Sequence, residues 1–245
     1  ALSGNDTCRG SSTSPEGKFS ENRIGGKNFY VQNDTFVEGT TRYNFASKNH
    51  LLRPDEKNDV GILLTFENLK NHVFNLDYFK TSHKTTGQLD YSGVFRLSVD
   101  LPCNNPFLSN QQFNTICTNN GLSSSDTAPL YISRRNIEGN PRRQSFKHST
   151  DRMVFDVEGK INNDWFYNFS LQSSRTSVDF TYFNDISKSR ATNALNVTGS
   201  ASNPACVLGG NCKPWNIFRL TNGNVQNSAA SVSYTHLRAH ETKAN

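Results

Sequence analysis

Long apolar runs are missing from this sequence. No segment approaches the roughly 18 consecutive apolar residues of a membrane-spanning helix, and only 34% of the 245 residues are hydrophobic. Methionine occurs once and tryptophan twice. These absences exclude a helical membrane protein. They leave a membrane β-barrel open, because only alternate residues of its strands face lipid while its lumen and loops are polar.

Catalytic motifs are also missing. The sequence contains no HExxH, no GxSxG and no glycine-rich phosphate-binding motif, and these are the local patterns that metal and nucleophilic enzymes commonly show. Asp156 and Glu158 alternate on one predicted strand and could supply part of a glycosidase carboxylate pair. The polar wall of a barrel lumen explains them better. We therefore expect no enzymatic activity, no metal and no cofactor.

Positive charge exceeds negative charge by five, and its densest cluster lies in a polar segment. The cluster consists of Arg134, Arg135, Arg142 and Arg143 around Glu138. Nucleic-acid sites usually combine such a cluster with stacking aromatic residues, so we expect no nucleic-acid partner. Two interpretations stay open: a solvated loop face, or a contact with an anion.

The five cysteines are spaced as local pairs with one residue left over. Cys103 and Cys117 enclose thirteen residues, and Cys206 and Cys212 enclose five, in loops rich in Pro, Asn and Gly. We predict the disulfides Cys103–Cys117 and Cys206–Cys212, which indicate an oxidising compartment such as the periplasm or the cell surface. Zinc is the rival interpretation, but close pairs such as CxxC and histidine partners at fixed offsets are lacking. Cys8 has no evident partner, as expected for a chain cut from a longer one.

The segment 151–176 is typical of a long membrane β-hairpin. Every second residue is apolar or aromatic over two runs joined by the short link 161–165, and most residues between them are polar. Trp165 and Tyr167 lie near the link, where amphipathic rings favour a membrane interface. The alternating apolar positions are Phe155, Val157 and Gly159, then Trp165, Tyr167, Phe169 and Leu171.

A second pair of the same kind lies upstream, at Val60, Ile62, Leu64 and Phe66 and then at Phe74, Leu76 and Tyr78. Alternation alone also fits a half-buried strand of a soluble protein. Length favours the membrane, because a spanning strand needs about 9–11 residues whereas strands of globular proteins cluster near 5–6. We predict strands at about 51–68, 73–86, 145–160 and 164–183, with a long loop at 87–144.

The other segments carry weaker signals. Short strands are predicted within 19–24, 29–32 and 35–37, a helix within 109–119 with Ser109 as its N-cap, and a second helix at 187–197 with Ala191, Ala194 and Leu195 on one face. Residues 231–245 break the pattern of the rest. They resemble translated adapter or assembly sequence, so we expect a non-native tail there and give no weight to its pair His236 and His240.

Four segments in order resemble the barrel of TonB-dependent outer-membrane receptors. They are residues 42–56, from RYNF to RPDE; the loop CNNPF at 103–107 that closes at Cys117; RRNIEG at 134–139 with Pro141 and Arg142; and CKPWNIF at 212–218. The resemblance covers about residues 15–230. It implies an all-β fold, here a fragment of a large antiparallel transmembrane β-barrel with long extracellular loops, from which the plug and the TonB box are missing.

The resemblance further implies energy-coupled uptake of a scarce nutrient, such as a ferric siderophore, cobalamin or an oligosaccharide, across the outer membrane of a Gram-negative bacterium. Its partners would be outer-membrane lipid and lipopolysaccharide, TonB through the missing N-terminal part, and a small nutrient ligand. An anionic ligand would meet Arg134, Arg135, Glu138, Arg142 and Arg143. The alternatives are a secreted β-sandwich binding module or adhesin and, third, a β-rich hydrolase.

Overall fold

The computed structural model describes residues 10–23, 25–69, 71–221, 224–225 and 237–244. Cys8 and residues 231–236, on which two of the predictions above fall, lie outside this range. The structure is mostly antiparallel β-sheet, with 56% strand and 11% helix. The prediction of an all-β fold is confirmed.

Fourteen strands and two α-helices make up the described chain, which divides into two compact units. Unit 1 comprises residues 1–49, 88–142 and 183–238, and unit 2 comprises residues 50–87, 143–182 and 239–245. The helices are α1 (Asn110–Ile116) and α2 (Lys188–Leu195). The strands are β1 (Lys18–Glu21), β2 (Asn28–Gln32), β3 (Thr35–Glu38), β4 (Asp55–Leu69), β5 (His72–Tyr91), β6 (Gly93–Pro102), β7 (Thr127–Arg135), β8 (Pro141–Lys160), β9 (Phe166–Asp185), β10 (Val197–Ser200), β11 (Asn203–Cys206), β12 (Leu220–Thr221), β13 (Asn224–Val225) and β14 (Leu237–Ala244).

Unit 1 is built on a five-stranded sheet in the order β3-β2-β1-β7-β6. Alternation places apolar residues on one face, where Phe19 packs against Phe36 and Phe218 at ring distances of 4.9 and 5.7 Å. The two helices and the segment 212–218 contribute to the same core. The buried residues of this core include Phe19, Val31, Leu101, Leu130, Ile132, Ile116, Ala191, Leu195, Trp215 and Phe218.

Polar side chains fix the elements that cover this core. Ser109 caps α1 in a capping box with Gln112, and the Gln112 amide also donates to the carbonyl oxygen of Phe218 at 2.7 Å. The Gln111 amide both donates to and accepts from the backbone of Phe36, so it covers the edge of β3. Asn105 donates to the carbonyl of Leu195 at the end of α2, where helical carbonyls lack partners. Both predicted helices are confirmed.

Unit 2 contains the sheet with the order β14-β9-β8-β5-β4. The register of β4 and β5 places Ile62 opposite Tyr78, Leu64 opposite Leu76, and Phe66 opposite Phe74. The ring of Phe74 lies 6.3 Å from that of Phe155 in β8. One face of the sheet therefore carries a continuous apolar stripe across β4, β5 and β8.

The observed strand bounds extend and correct the predicted ones. The four long strands have 15 to 20 residues, and the segment 87–144 is not one long loop, because it contains β6, α1 and β7. Strand β6 was not predicted: Leu97, Val99 and Leu101 alternate with polar residues, but a bulge between Val94 and Leu97 limits this alternation to the second half of the strand. The sheet of unit 2 is open, with β14 and β4 at its edges, and the described strands form no closed barrel. Residues 237–244 form β14, and the expectation of a non-native tail stays a prediction.

Gly159 of β8 leaves space for a contact that crosses it. The Oη atom of Tyr167 in β9 lies 3.1 Å from Nδ1 of His72 in β5. A Cβ atom at position 159 would overlap the His72 ring and would lie 3.0 Å from the carbonyl oxygen of Asn71. Only glycine allows the two side chains to meet over this strand.

We predict that Gly159→Ala lowers the free energy of unfolding by about 1–3 kcal/mol, the usual cost of forcing extra volume into a packed site. Gly87→Ala is the matched control, because there the nearest atom is Nε of the flexible Arg53 side chain at 3.3 Å. Denaturant unfolding of both variants measures the difference. Equal stability of the two variants would contradict this role for Gly159.

Candidate functional site

The arginine cluster predicted as a ligand contact is divided between the core and a cavity. Arg134 and Arg135 end β7, and neighbouring residues of a strand point to opposite faces. The Arg134 side chain is 0% exposed and forms a bidentate pair with Glu138, with Nη1 donating to Oε2 at 3.1 Å and Nη2 donating to Oε1. Its guanidinium also lies 5.6 Å from the centre of the Trp215 ring. The structure thus places Arg134 and Glu138 inside the core of unit 1.

Arg135 lies on the other side of β7, in aromatic surroundings. Its guanidinium is 5.2 Å from the Phe95 ring and 5.7 Å from the Tyr43 ring. Nη1 donates to the carbonyl oxygen of Tyr91 at 2.8 Å, and Nε lies 3.7 Å from Oδ2 of Asp90. Burial lowers the pKa of Arg135, and the Asp90 carboxylate opposes this shift.

Asp90 connects the groups around Arg135. Its carboxylate accepts a hydrogen bond from the Tyr43 hydroxyl at 3.2 Å, and its backbone N–H donates to Oδ1 of Asn49 at 2.8 Å. Arg142 donates from Nε to the carbonyl oxygen of Asp90 at 3.0 Å. Burial, together with the negative charge of Asp90, raises the pKa of Tyr43 to about 12. Tyr43 therefore stays a neutral donor at physiological pH.

A cavity of about 320 Å³ lies beside this network within unit 1. Two guanidinium groups and one carboxylate line it, which leaves one positive charge in excess. Guanidinium groups bind carboxylates and phosphates through charge-assisted hydrogen bonds, and the two phenylalanine rings offer an apolar wall. The cavity is suited to the acidic group of a small ligand. Its lining includes Phe45, Asn49, Asp90, Phe95, Arg135 and Arg142.

The remaining predicted residues lie elsewhere. Arg143 is exposed and follows Arg142 in β8, so the two side chains leave the strand on opposite sides. Trp165 is 69% exposed at the tight turn 161–165, where Oδ1 of Asn162 accepts from the backbone N–H groups of Asp164 and Trp165. Tyr167 is half-buried against His72. The membrane-interface role predicted for Trp165 and Tyr167 stays a prediction.

Both predicted disulfides are confirmed. Cys103 bonds to Cys117 and Cys206 bonds to Cys212. The first closes the segment that carries α1, and both of its cysteines are buried in the core. The second closes a short loop after β11.

Sequence analysis missed the residues that build the cavity around Arg135. Asp90 and Phe95 lie in the consecutive strands β5 and β6, whereas Tyr43 lies about fifty residues earlier, and no local motif links the three. The one available signal was the interrupted alternation between Val94 and Leu97, because β-bulges often redirect side chains toward functional sites.

The described residues contain no group of three His, Cys, Asp or Glu side chains arranged to hold a metal ion. Across the same part of the chain, no helix is both long and apolar enough to cross a membrane.

We predict that Arg134→Met lowers the free energy of unfolding by about 3–5 kcal/mol, because it leaves the Glu138 carboxylate buried without its ion-pair partner. Lys27→Met, which breaks the exposed pair with Glu38, should cost less than about 1 kcal/mol. The double variant Arg134→Met/Glu138→Leu should recover most of the loss. Urea unfolding followed by tryptophan fluorescence measures all three. Similar costs for Arg134→Met and Lys27→Met would show that the buried pair is not important for stability.

Comparisons of this chain with protein-family models, with curated proteins and with solved structures found no match. The case for a function therefore depends on the geometry of the two units.

Proposed function

We propose that this chain is part of an outer-membrane transport receptor that takes up a scarce, acidic nutrient. In this proposal, the sheet of unit 2 contributes to a lipid-facing barrel wall, and the cavity beside Arg135 and Arg142 in unit 1 contacts the ligand. The chain performs no covalent chemistry. Coupling to TonB is inferred from the sequence resemblance alone.

The observation that carries the proposal is the lack of a core in unit 2. Of the hydrophobic residues that are buried in the described chain, only Val154 belongs to this unit. The apolar stripe of unit 2 is instead exposed to solvent, since Val60, Ile62, Leu64 and Phe66 are 44–64% exposed. Burial of apolar surface is the main stabilising contribution to folding, at about 25 cal/mol per Å². Contact of this face with lipid supplies the missing apolar surroundings.

The lengths and connections of the strands support the same proposal. Strands β4, β5, β8 and β9 have 15, 20, 20 and 20 residues, which exceeds the 9–11 residues that cross a bilayer. Short turns join β4 to β5 and β8 to β9, whereas long segments join β5 to β8 and follow β9. Short turns at one end and long loops at the other are typical of outer-membrane barrels.

A secreted binding module or adhesin is the second candidate, and unit 1 favours it. The strands of its main sheet have only 4 to 10 residues, the unit has its own core, and both disulfides lie in it. Short strands and disulfides are common in secreted domains. The two candidates differ in what they require of unit 2, since only the receptor needs lipid there.

Fluorescence quenching by brominated lipid tests the proposal, because the chain has only two tryptophans. Trp165 is largely exposed in unit 2, whereas Trp215 is 0% exposed in the core of unit 1. After reconstitution into vesicles, brominated lipid should quench the emission of Trp165. The variant Trp165→Phe, in which only Trp215 emits, should show little quenching.

Equal emission in brominated and ordinary vesicles would contradict the receptor proposal, provided that the chain sediments with the vesicles. A chain that stays folded in the aqueous phase and does not associate with vesicles would favour the secreted binding module.

A further inference from the structure

The sheet of unit 1 carries a polar groove on the face opposite its core. The groove has a volume of about 570 Å³, within the range of small-molecule sites. It lies over the central strands β1 and β7 and their neighbours rather than at a free sheet edge. Its lining includes Lys18, Ser20, Asn28, Arg96, Tyr131 and Ser133.

A β-bulge directs Arg96 into this groove. The register of β6 on β7 shifts between Val94 and Leu97, and Arg96 has a φ of +50°. Few residues other than glycine, asparagine and aspartate adopt this left-handed conformation without cost. The Arg96 N–H donates to Oγ of Ser133 at 2.9 Å, and its guanidinium lies 4.6 Å from the centre of the Tyr131 ring. The arginine is thus held at the groove by its backbone and by its side chain.

The groove has an excess of positive charge. Lys18, Arg23 and Arg96 line it, and Glu21 is its one acidic residue. The carboxylate of Glu21 already accepts hydrogen bonds from Arg23, from the backbone of Lys27 and from the amide of Asn120. Within the described part of the chain, neither Lys18 nor Arg96 forms a salt bridge. An anion entering the groove meets two cations that no carboxylate neutralises.

Neutral hydrogen-bonding groups lie beside these cations. The Ser20 hydroxyl donates to Oδ1 of Asn28 at 2.7 Å, which leaves the Ser20 oxygen as an acceptor and the Asn28 NH₂ group as a donor. Ser133 accepts from Arg96 and keeps its own O–H to donate. Such paired donors and acceptors match the hydroxyl groups of a sugar.

We propose that this groove binds a sugar phosphate, with Arg96 and Lys18 on the phosphate and with Ser20, Asn28 and Ser133 on the sugar hydroxyls. An extended peptide fits less well, because peptides commonly add to a sheet edge through main-chain hydrogen bonds, and the backbone groups of β1 and β7 are already paired with their neighbours. The groove is separate from the cavity beside Arg135, so this proposal does not depend on the transport function.

Isothermal titration of the full chain with glucose 1-phosphate at low salt tests the proposal. We expect glucose 1-phosphate to bind at least about tenfold more tightly than either glucose or inorganic phosphate, because only the sugar phosphate uses both sets of groups. A phosphorylated core saccharide released from lipopolysaccharide is the second probe. Its competition with glucose 1-phosphate identifies an envelope glycan as the source, and its failure to compete identifies a free sugar phosphate.

Arg96→Asn is the decisive variant, because asparagine tolerates the left-handed backbone and removes only the charge and the stacking. It should keep the melting temperature and weaken binding of glucose 1-phosphate about tenfold. Arg96→Lys should recover part of this loss, since it restores the charge without the planar group. Arg219→Asn is the control, because Arg219 is exposed and pairs with Asp34 away from the groove.

Three results would overturn the proposal: no binding of glucose 1-phosphate, equal affinity of Arg96→Asn and Arg219→Asn, or tighter binding of an acidic peptide than of glucose 1-phosphate. The last result would assign the groove to a protein partner. None of these results bears on lipid contact by unit 2, so they leave the proposed transport function intact.

Discussion

A long antiparallel sheet with an apolar stripe is stabilised by apolar surroundings, and the described residues of unit 2 bury only one hydrophobic side chain, that of Val154. Its strands satisfy their backbone groups by pairing, as β4 and β5 do over most of their length. The net contribution of each backbone hydrogen bond in water is modest. The exposed apolar stripe across β4, β5 and β8 is therefore the feature that favours lipid over water around this unit. Two glycines of this sheet leave room for neighbouring side chains. Gly61 lies beneath the ring of Phe79, and Gly159 lets Tyr167 reach His72.

Unit 1 differs from unit 2 because it has a hydrophobic core of its own. Its sheet has one apolar face covered by α1, α2 and the segment 212–218, and one polar face with a groove. The pair of Arg134 and Glu138 is part of the core, where Trp215 packs on the guanidinium. Because Arg134 lies in the core, alternation along β7 places Arg135 on the opposite side of the strand, beside Asp90 and the cavity. A buried ion pair thus holds Arg134 on one side of β7, while Arg135, itself only 4% exposed, lies on the other side beside the cavity.

Much of the fold could be predicted from local patterns. The long strands follow from period-two alternation over runs of five to seven residues, α1 follows from the N-cap Ser109, and α2 follows from the stripe of Ala191, Ala194 and Leu195. The disulfides follow from cysteine spacing in loops. Strand β6 was harder to predict, since the bulge at Phe95 and Arg96 leaves only the run from Leu97 to Leu101 with a period of two.

The candidate site was less accessible to sequence analysis. Arg134 and Arg135 are adjacent and chemically identical, yet one enters the core and the other lines the cavity. This difference depends on Trp215, which lies far along the chain and covers one face of the sheet. Asp90 likewise gains its role from contacts with Tyr43, Arg135 and Arg142. Long-range packing of this kind leaves no local signature.

The central claim is that the apolar face of unit 2 contacts lipid. A nitroxide scan along residues 60–66 of β4, in vesicles, measures it most directly by comparing the accessibility of each position to oxygen and to a water-soluble relaxant. Lipid contact predicts a period of two, with positions 60, 62, 64 and 66 open to oxygen and protected from the polar relaxant. High accessibility of these four positions to the water-soluble relaxant would contradict the claim.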